Sequence, residues 1–402
     1  MEIVNKLKIA LVTFDYDPEK TGGVGNVSSE VFGLLRENFE QNPVIFSFSN
    51  KMFDECSRSL TRPSTWRHEL HNIEVNNLVT VHRIGAIGSE IEFLRYRKRK
   101  YLRNLLEDFE AVIVVTGSLQ FCNVLPKISS PVYIQCATRL RWERESQYIQ
   151  MPPLKRVILR LQLPLLDYLE RRVLRKDFTF LAENDEMLNW LLDKRVPNVH
   201  KWFPPVTEII SSKNDQRFPT SSFVSVGRLN EPRKGWERLF RAYDLAYSQN
   251  PSIPSLKIIG RGDLSNHDTE ILSKLNSRHN IQILQNLSNS GRNEVLKSSS
   301  IFLQTSHEEG LGMAALEALQ LGLPLICSET FGSREYVENN SNGYLIRQDA
   351  NFIENFAKAI LASESWRYLE YSASSRALFE KRFRRQISTQ SLLEILRENK
   401  VT

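Results

Sequence analysis

Short apolar runs rich in β-branched residues recur along the whole chain with amphipathic stretches between them, and no other feature limits the fold as much. In the first half they are Lys8–Phe14, Val44–Phe48, Leu78–Ile84, Ala111–Val115, Val132–Cys136 and Phe178–Leu181. In the second half they are Phe223–Val226, Leu256–Ile259, Ile281–Leu284, Ile301–Thr305, Leu323–Cys327 and Tyr344–Ile346. Runs without strict alternation suit strands covered on both faces. Helical stretches between them imply right-handed crossovers in a parallel sheet. Both halves therefore read as doubly wound α/β.

The length, 402 residues, exceeds what one hydrophobic core supports and predicts two domains. The segment from Phe203 to Ser222 is rich in Pro, Ser and Thr, lacks a helical period and reads as the linker. Past Asn351 the pattern is helical, with Phe352, Phe356 and Ile360 and then Trp366 to Leu396. The expected division is 1–205, 206–365 and a set of terminal helices, 366–402, crossing back to the first domain.

With 41% apolar and 25% charged residues, disorder, collagen and disulfide scaffolds are excluded. The formal charge of +6 is spread evenly, with 28 basic and 25 acidic residues in 1–200, so no nucleic-acid footprint results. Cys56, Cys122, Cys136 and Cys327 form no CxxC pair and read as reduced thiols of a cytosolic protein. The opening MEIVNKLKIALVTFDYD lacks the regions of a signal peptide, and no window approaches a membrane span.

Four loops carry chemistry. Thr21-Gly-Gly-Val-Gly-Asn26 lies between the first strand and a helix with Val27, Val31, Leu34 and Leu35 on its apolar face. Glycines let the backbone approach an anion, and the next helix favours phosphate. A tight turn uses the same residues, and the spacing is not the dinucleotide fingerprint. In Val226-Gly-Arg-Leu-Asn-Glu-Pro-Arg-Lys-Gly235, Arg228 leaves the carboxyl end of a strand and Lys234 precedes a helix. Two cations at that edge suit a diphosphate, the alternative being two solvated side chains.

Ser306-His-Glu-Glu-Gly-Leu-Gly-Met-Ala-Ala-Leu-Glu-Ala-Leu-Gln-Leu-Gly-Leu-Pro324 is the most informative segment. On one helix Glu309 and Glu317 would stand about 80° apart, so convergent carboxylates require Glu309 on the loop and Glu317 in the helix. Alone, Glu317 reads as an ordinary helix-surface glutamate. The fourth loop is Thr330-Phe-Gly-Ser-Arg-Glu335, which also reads as a helix start capped by Ser333.

Together these segments resemble glycosyltransferase family 4, a group of nucleotide-sugar enzymes. The family's acidic residue, Gly, seven-residue spacing and second Glu are matched by Glu309 and Glu317, and its Gly-Arg…Lys-Gly loop by Gly227, Arg228, Lys234 and Gly235. Gly22 and Gly23, Gly260 and Gly262, Gly332 and Glu335, and Asn342-Gly343 match further family positions. The resemblance runs from residue 22 to 343, strongest in the second half.

That resemblance implies the GT-B fold: two Rossmann-like, doubly wound parallel-sheet domains facing across a cleft. It implies retaining transfer from a nucleotide-diphosphate sugar to a saccharide or lipid-linked acceptor in cell-surface polysaccharide or glycoconjugate synthesis, without cofactor or metal. Glu309, Arg228 and Lys234 would be the catalytic set. Arg228 and Lys234 on the Gly227 loop would hold the diphosphate, Glu317 the ribose, and Glu309 with amides near Gly310, Leu311 and Gly312 the transferred sugar. Gly22 and Gly23 would meet the diphosphate or acceptor. Many family members carry a His soon after a first-domain strand; here that stretch is Tyr133-Ile-Gln-Cys-Ala-Thr138, where Gln135 or Thr138 would substitute. A non-catalytic donor-binding partner of another transferase, or a GT-B epimerase or phosphorylase, are the rival functions.

Asp15-Tyr16-Asp17 imitates a DxD metal signature but reads as solvated loop acids. His68, His71 and His82 imitate a zinc cluster but read as surface histidines. The basic stretch Glu92–Leu106, with Phe93, Leu94, Tyr101, Leu102, Leu105 and Leu106 as its apolar part, reads either as an amphipathic helix on the anionic inner face of a membrane or as a helix packed on the first domain. Lys155–Lys176 is similar in composition.

Overall fold

The computed structural model describes residues 6–17, 23–49, 54–76, 79–88, 90–147, 153–209 and 222–398. Thr21, Gly22, Leu78 and residues 210–221 of the expected linker lie outside the described residues. The chain forms two compact units, Met1–Pro205 with Gln386–Thr402, and Val206–Arg385.

The first unit contains β1 (Ile9–Phe14), β2 (Val44–Phe48), β3 (His71–Asn76), β4 (Val79–Ile84), β5 (Ala111–Thr116), β6 (Val132–Cys136), β7 (Thr179–Ala182) and β8 (Val199–Lys201). Its sheet order is β3-β4-β2-β1-β5-β6-β7-β8. Every pairing is parallel except β3 with β4. Its helices are α1 (Gly23–Asn38), α2 (Glu92–Arg95), α3 (Leu102–Leu106), α4 (Leu140–Gln147), α5 (Pro153–Leu174) and α6 (Asp185–Asp193). All six residues of β5 are buried, as a central strand covered on both faces requires. Val12, Phe46, Val114, Ile134 and Phe180 share one core, each contributing about 1.5–3 kcal/mol by burial.

The second unit has β9 (Phe223–Val226), β10 (Leu256–Gly260), β11 (Ile281–Gln285), β12 (Ile301–Gln304), β13 (Leu325–Ser328) and β14 (Gly343–Ile346). They form an all-parallel sheet in the order β11-β10-β9-β12-β13-β14. Counted within the unit this is 3-2-1-4-5-6, so the strand order reverses between β9 and β12. The helices are α7 (Trp236–Gln249), α8 (Asn266–Ser273), α9 (Asn289–Lys297), α10 (Met313–Gln320), α11 (Phe352–Ala362) and α12 (Tyr368–Arg382), followed by α13 (Arg385–Glu398). The terminal helices divide. Ser375 Oγ of α12 donates to the Leu323 carbonyl of the second unit at 3.0 Å, whereas Trp202 of the first unit donates Nε1–H to the Ser388 carbonyl of α13 at 2.9 Å.

The α/β reading holds in both units, with local corrections. β3 and β8 are strands that apolar runs do not announce. β3 pairs along a sheet edge with Ile73 and Val75 exposed, and β8 has three half-buried residues at the opposite edge. The basic stretch 92–106 is not one amphipathic helix, because it breaks between α2 and α3. Leu102 and Leu106 are fully buried, and the buried Arg99 donates through Nη1 to the Arg97 carbonyl at 2.5 Å. His71 and His82 are a half-buried stacked pair rather than free surface groups, with Nε2 and Nδ1 3.0 Å apart. Burial lowers the pKa of each. Cys122, Cys136 and Cys327 are buried free thiols, and Cys56 is partly buried.

Candidate active site

The strand order of the second unit places two distant loops side by side. Loops after β9 and β12 leave adjacent strands at the carboxyl edge where the order reverses, the position at which open α/β sheets hold ligands. The first loop carries Gly227 to Gly235 and the second Thr305 to Gly312. Each runs into a helix N-terminus, α7 and α10 respectively, whose free amides and dipole favour anions.

The loops are joined through backbone and side chain. His307 N–H donates to the Arg233 carbonyl at 2.8 Å, and Thr305 Oγ1 donates to the Gly235 carbonyl at 3.0 Å. Gly235 is left-handed at φ 67°, and a Cβ there would sit 2.4 Å from the Thr305 carbonyl oxygen, so only glycine lets the loops meet. Gly312, at φ 89°, occupies the same role before α10, where a Cβ would lie 2.6 Å from Tyr336 Oη.

Lys234 Nζ lies 2.5 Å from Glu309 Oε1, and Ser306 Oγ donates to the same oxygen at 2.7 Å. Arg233 Nη1 donates to Glu308 Oε2 at 2.9 Å. Burial pushes the Glu309 carboxyl up, but Lys234, Arg233 and the two hydrogen bonds outweigh it and hold its pKa below the usual value. Glu309 is thus an anion beside a cation. Arg228 is exposed, with its guanidinium 2.7 Å from Glu231 and Trp236 Nε1–H bonded to its carbonyl at 3.1 Å. His307 Nδ1 faces Arg238 at 2.8 Å, and burial with that cation lowers its pKa to about 4.

Glu317 lies in α10 and Glu309 on the loop. Their partners differ: Glu317, almost wholly buried, is ion-paired with Arg292 of α9. Glu335 sits in a short 3-10 turn and is held by Arg382 at 2.9 Å. Ser333 accepts from Thr330 N–H and donates to the Ser328 carbonyl, both at 2.7 Å, bracing that turn.

Residues 208–376 match the family described as glycosyl transferases group 1. An uncharacterized glycosyltransferase of Haemophilus influenzae is 24% identical over 76% of this chain and 82% of its own length. The UDP-Gal:alpha-D-GlcNAc-diphosphoundecaprenol alpha-1,3-galactosyltransferase of Escherichia coli is 34% identical over 35% of each chain. Sucrose-phosphate synthase from Thermosynechococcus elongatus superposes with a TM-score of 0.71 at 15% identity, covering 98% of this chain and 100% of that one. The chain has the GT-B fold, and fold and family match together support a glycosyltransferase.

Arg233, Glu308 and Arg292 escaped the sequence reading. Arg233 adjoins Lys234 and its charge was a usable signal, whereas Arg292 is recognisable only from its contact with Glu317. In the first unit Gly23 opens α1 at φ 51°, and Gly22 lies outside the described residues. Gln135 is buried and its amide donates to Glu183. Thr138 is also buried, and its hydroxyl has no partner among the described residues. Asp15 and Asp17 both have interaction partners. No group of three potential metal ligands occurs among the described residues.

Proposed function

We propose that this chain is a retaining, metal-independent glycosyltransferase that moves a hexose from a nucleotide-diphosphate sugar to a saccharide or lipid-linked acceptor, in polysaccharide or glycoconjugate synthesis. The second unit binds the donor and the first the acceptor. The observation that carries the reading is the contact of Lys234 with Glu309, which joins the two loops at the ligand-binding edge of the sheet.

Arg228 and Lys234 hold the diphosphate, with Gly227 giving the loop room. Cations aimed at the leaving diphosphate stabilise its growing charge and accelerate cleavage of the sugar–phosphate bond. Glu309, with the amides around Gly310, Leu311 and Gly312, orients the sugar, and Glu317 accepts from the ribose hydroxyls, sharing its charge with Arg292. Gly22 and Gly23 meet the diphosphate or acceptor. The galactosyltransferase relative, whose name specifies a UDP-sugar and a diphosphoundecaprenol-linked sugar, supports the donor and acceptor classes.

Screening nucleotide sugars by thermal shift identifies the donor, because a saturating ligand raises stability according to its affinity. Transfer then survives EDTA; loss of activity restored by manganese overturns the metal-independent reading. The tie between Gln135 and Glu183, in a stretch lacking a histidine, favours a second reading as a non-catalytic donor-binding partner. Donor binding without transfer or hydrolysis supports that alternative.

A further inference from the structure

A cavity of about 520 Å³ opens in the first unit where α4, α5 and α6 meet. Arg139, Arg141, Arg171 and Lys194 line it against two carboxylates, Asp167 and Glu170. Arg139 Nη2 lies 2.6 Å from Glu170 Oε2, and its guanidinium is 4.0 Å from the centre of the Trp190 ring. Arg141 pairs with Asp167. Arg171 and Lys194 are exposed and have no ion-pair partner among the described residues. Two cations held in place by paired partners and two left unpaired suit the charge and oxygens of a phosphate group.

The helix that forms one wall carries a second feature. Val157, Leu161, Leu165 and Tyr168 of α5 are 53%, 75%, 39% and 54% exposed. Spacings of four, four and three put them in one stripe. Arg171 and Arg172, both exposed, follow toward the C-terminal end of the helix. The two carboxylates of α5 are Asp167 and Glu170, whose side chains are 15% and 2% exposed and taken by Arg141 and Arg139. An exposed apolar stripe that ends in arginines and carries no free carboxylate has the charge and hydrophobicity of a contact with anionic lipid.

We propose that α5 lies on an anionic phospholipid surface, its apolar stripe entering the boundary between headgroups and acyl chains and a lipid phosphate seated between Arg171 and Lys194. This moves the membrane contact from the 92–106 stretch, whose leucines Leu102 and Leu106 are core residues, to α5. It does not depend on glycosyl transfer. Among the described residues no helix is long and apolar enough to cross a membrane, so the contact is peripheral.

The test is flotation of the full-length protein with vesicles of phosphatidylglycerol and phosphatidylcholine or of phosphatidylcholine alone. Wild type floats with the anionic vesicles only. Leu161→Asp with Leu165→Asp, and separately Arg171→Glu with Lys194→Glu, each lower flotation by about tenfold at an unchanged melting temperature. Equal flotation with neutral vesicles overturns the proposal. Normal flotation of the Arg171/Lys194 variant, with loss only of stabilisation by inorganic phosphate, marks a free-phosphate site and overturns it too. No vesicle binding, with a wild-type dimer abolished by the Leu161/Leu165 change, assigns the stripe to self-association and also overturns it.

Discussion

Lys234 Nζ meets Glu309 Oε1 at 2.5 Å across 75 positions of sequence. Both side chains are largely buried, at 18% and 9% exposure. Such a pair repays its desolvation only while both charges and their hydrogen bonds are present. An arriving diphosphate adds negative charge beside a lysine already committed to a carboxylate, so donor binding and loop integrity draw on the same cation.

Lys234→Met is therefore expected to cost about 3–5 kcal/mol, the range for stranding a buried charge. Arg228→Ala, at an exposed position, is expected to stay within about 0.5 kcal/mol. Both are expected to weaken donor binding about tenfold or more, since each removes a charge-assisted contact. Adding Glu309→Gln to Lys234→Met restores much of the stability but not the affinity. Denaturant unfolding and calorimetric titration with the donor measure the two effects; wild-type affinity in both single variants removes these residues from the diphosphate site.

The ion pair of Arg292 with Glu317 makes the same kind of claim for α9 and α10. Arg292→Met destabilises the protein by leaving Glu317 charged and buried, and Glu317→Gln relieves that loss. A double-mutant cycle is expected to give a coupling of about 1–3 kcal/mol. Additive effects contradict the pairing.

Two groups of the β12 loop give separate pH windows. The folded pKa of His307, about 4, lies below its ordinary value of 6.5. Below pH 6.5 the unfolded chain thus binds more protons, and stability falls as pH drops from about 6.5 toward 4, with no contribution above. Glu309 has its folded value held below 4.5. Its stabilisation is complete above that value and is lost as pH falls through the depressed one. Unfolding across pH checks both: His307→Gln flattens the upper window and Glu309→Gln the lower. An unchanged slope in either variant contradicts the corresponding assignment.

Gly235→Ala and Gly23→Ala separate strain from collision. Both positions are left-handed, which costs a residue with a Cβ about 1–2 kcal/mol. At Gly23 nothing lies within 4 Å of a Cβ, so that strain is the whole effect. At Gly235 the Cβ meets the Thr305 carbonyl, so the loss is larger and the joined loops separate. Equal losses in thermal unfolding contradict the loop contact.

The chain's buried parallel strands were legible because strands covered on both faces write continuous apolar runs. The edge strands β3 and β8 were not, since an edge leaves its apolar side chains exposed or half-buried. Glu309 and Lys234 could be picked out as polar residues on glycine-bearing loops at strand ends, and Glu317 as a helical carboxylate. Their partners could not. Sequence spacing of 3.6 or 2 residues reports which side of an element is buried, but not which elements become neighbours. That depends on strand order, and only the reversal between β9 and β12 brings Lys234 to Glu309, while Arg292 of α9 reaches Glu317 of α10 through a tertiary ion pair that no spacing within either helix announces. The basic stretch 92–106 shows the same limit: composition alone allowed a surface helix, and burial of Leu102, Leu106 and Arg99 in the first unit decided otherwise.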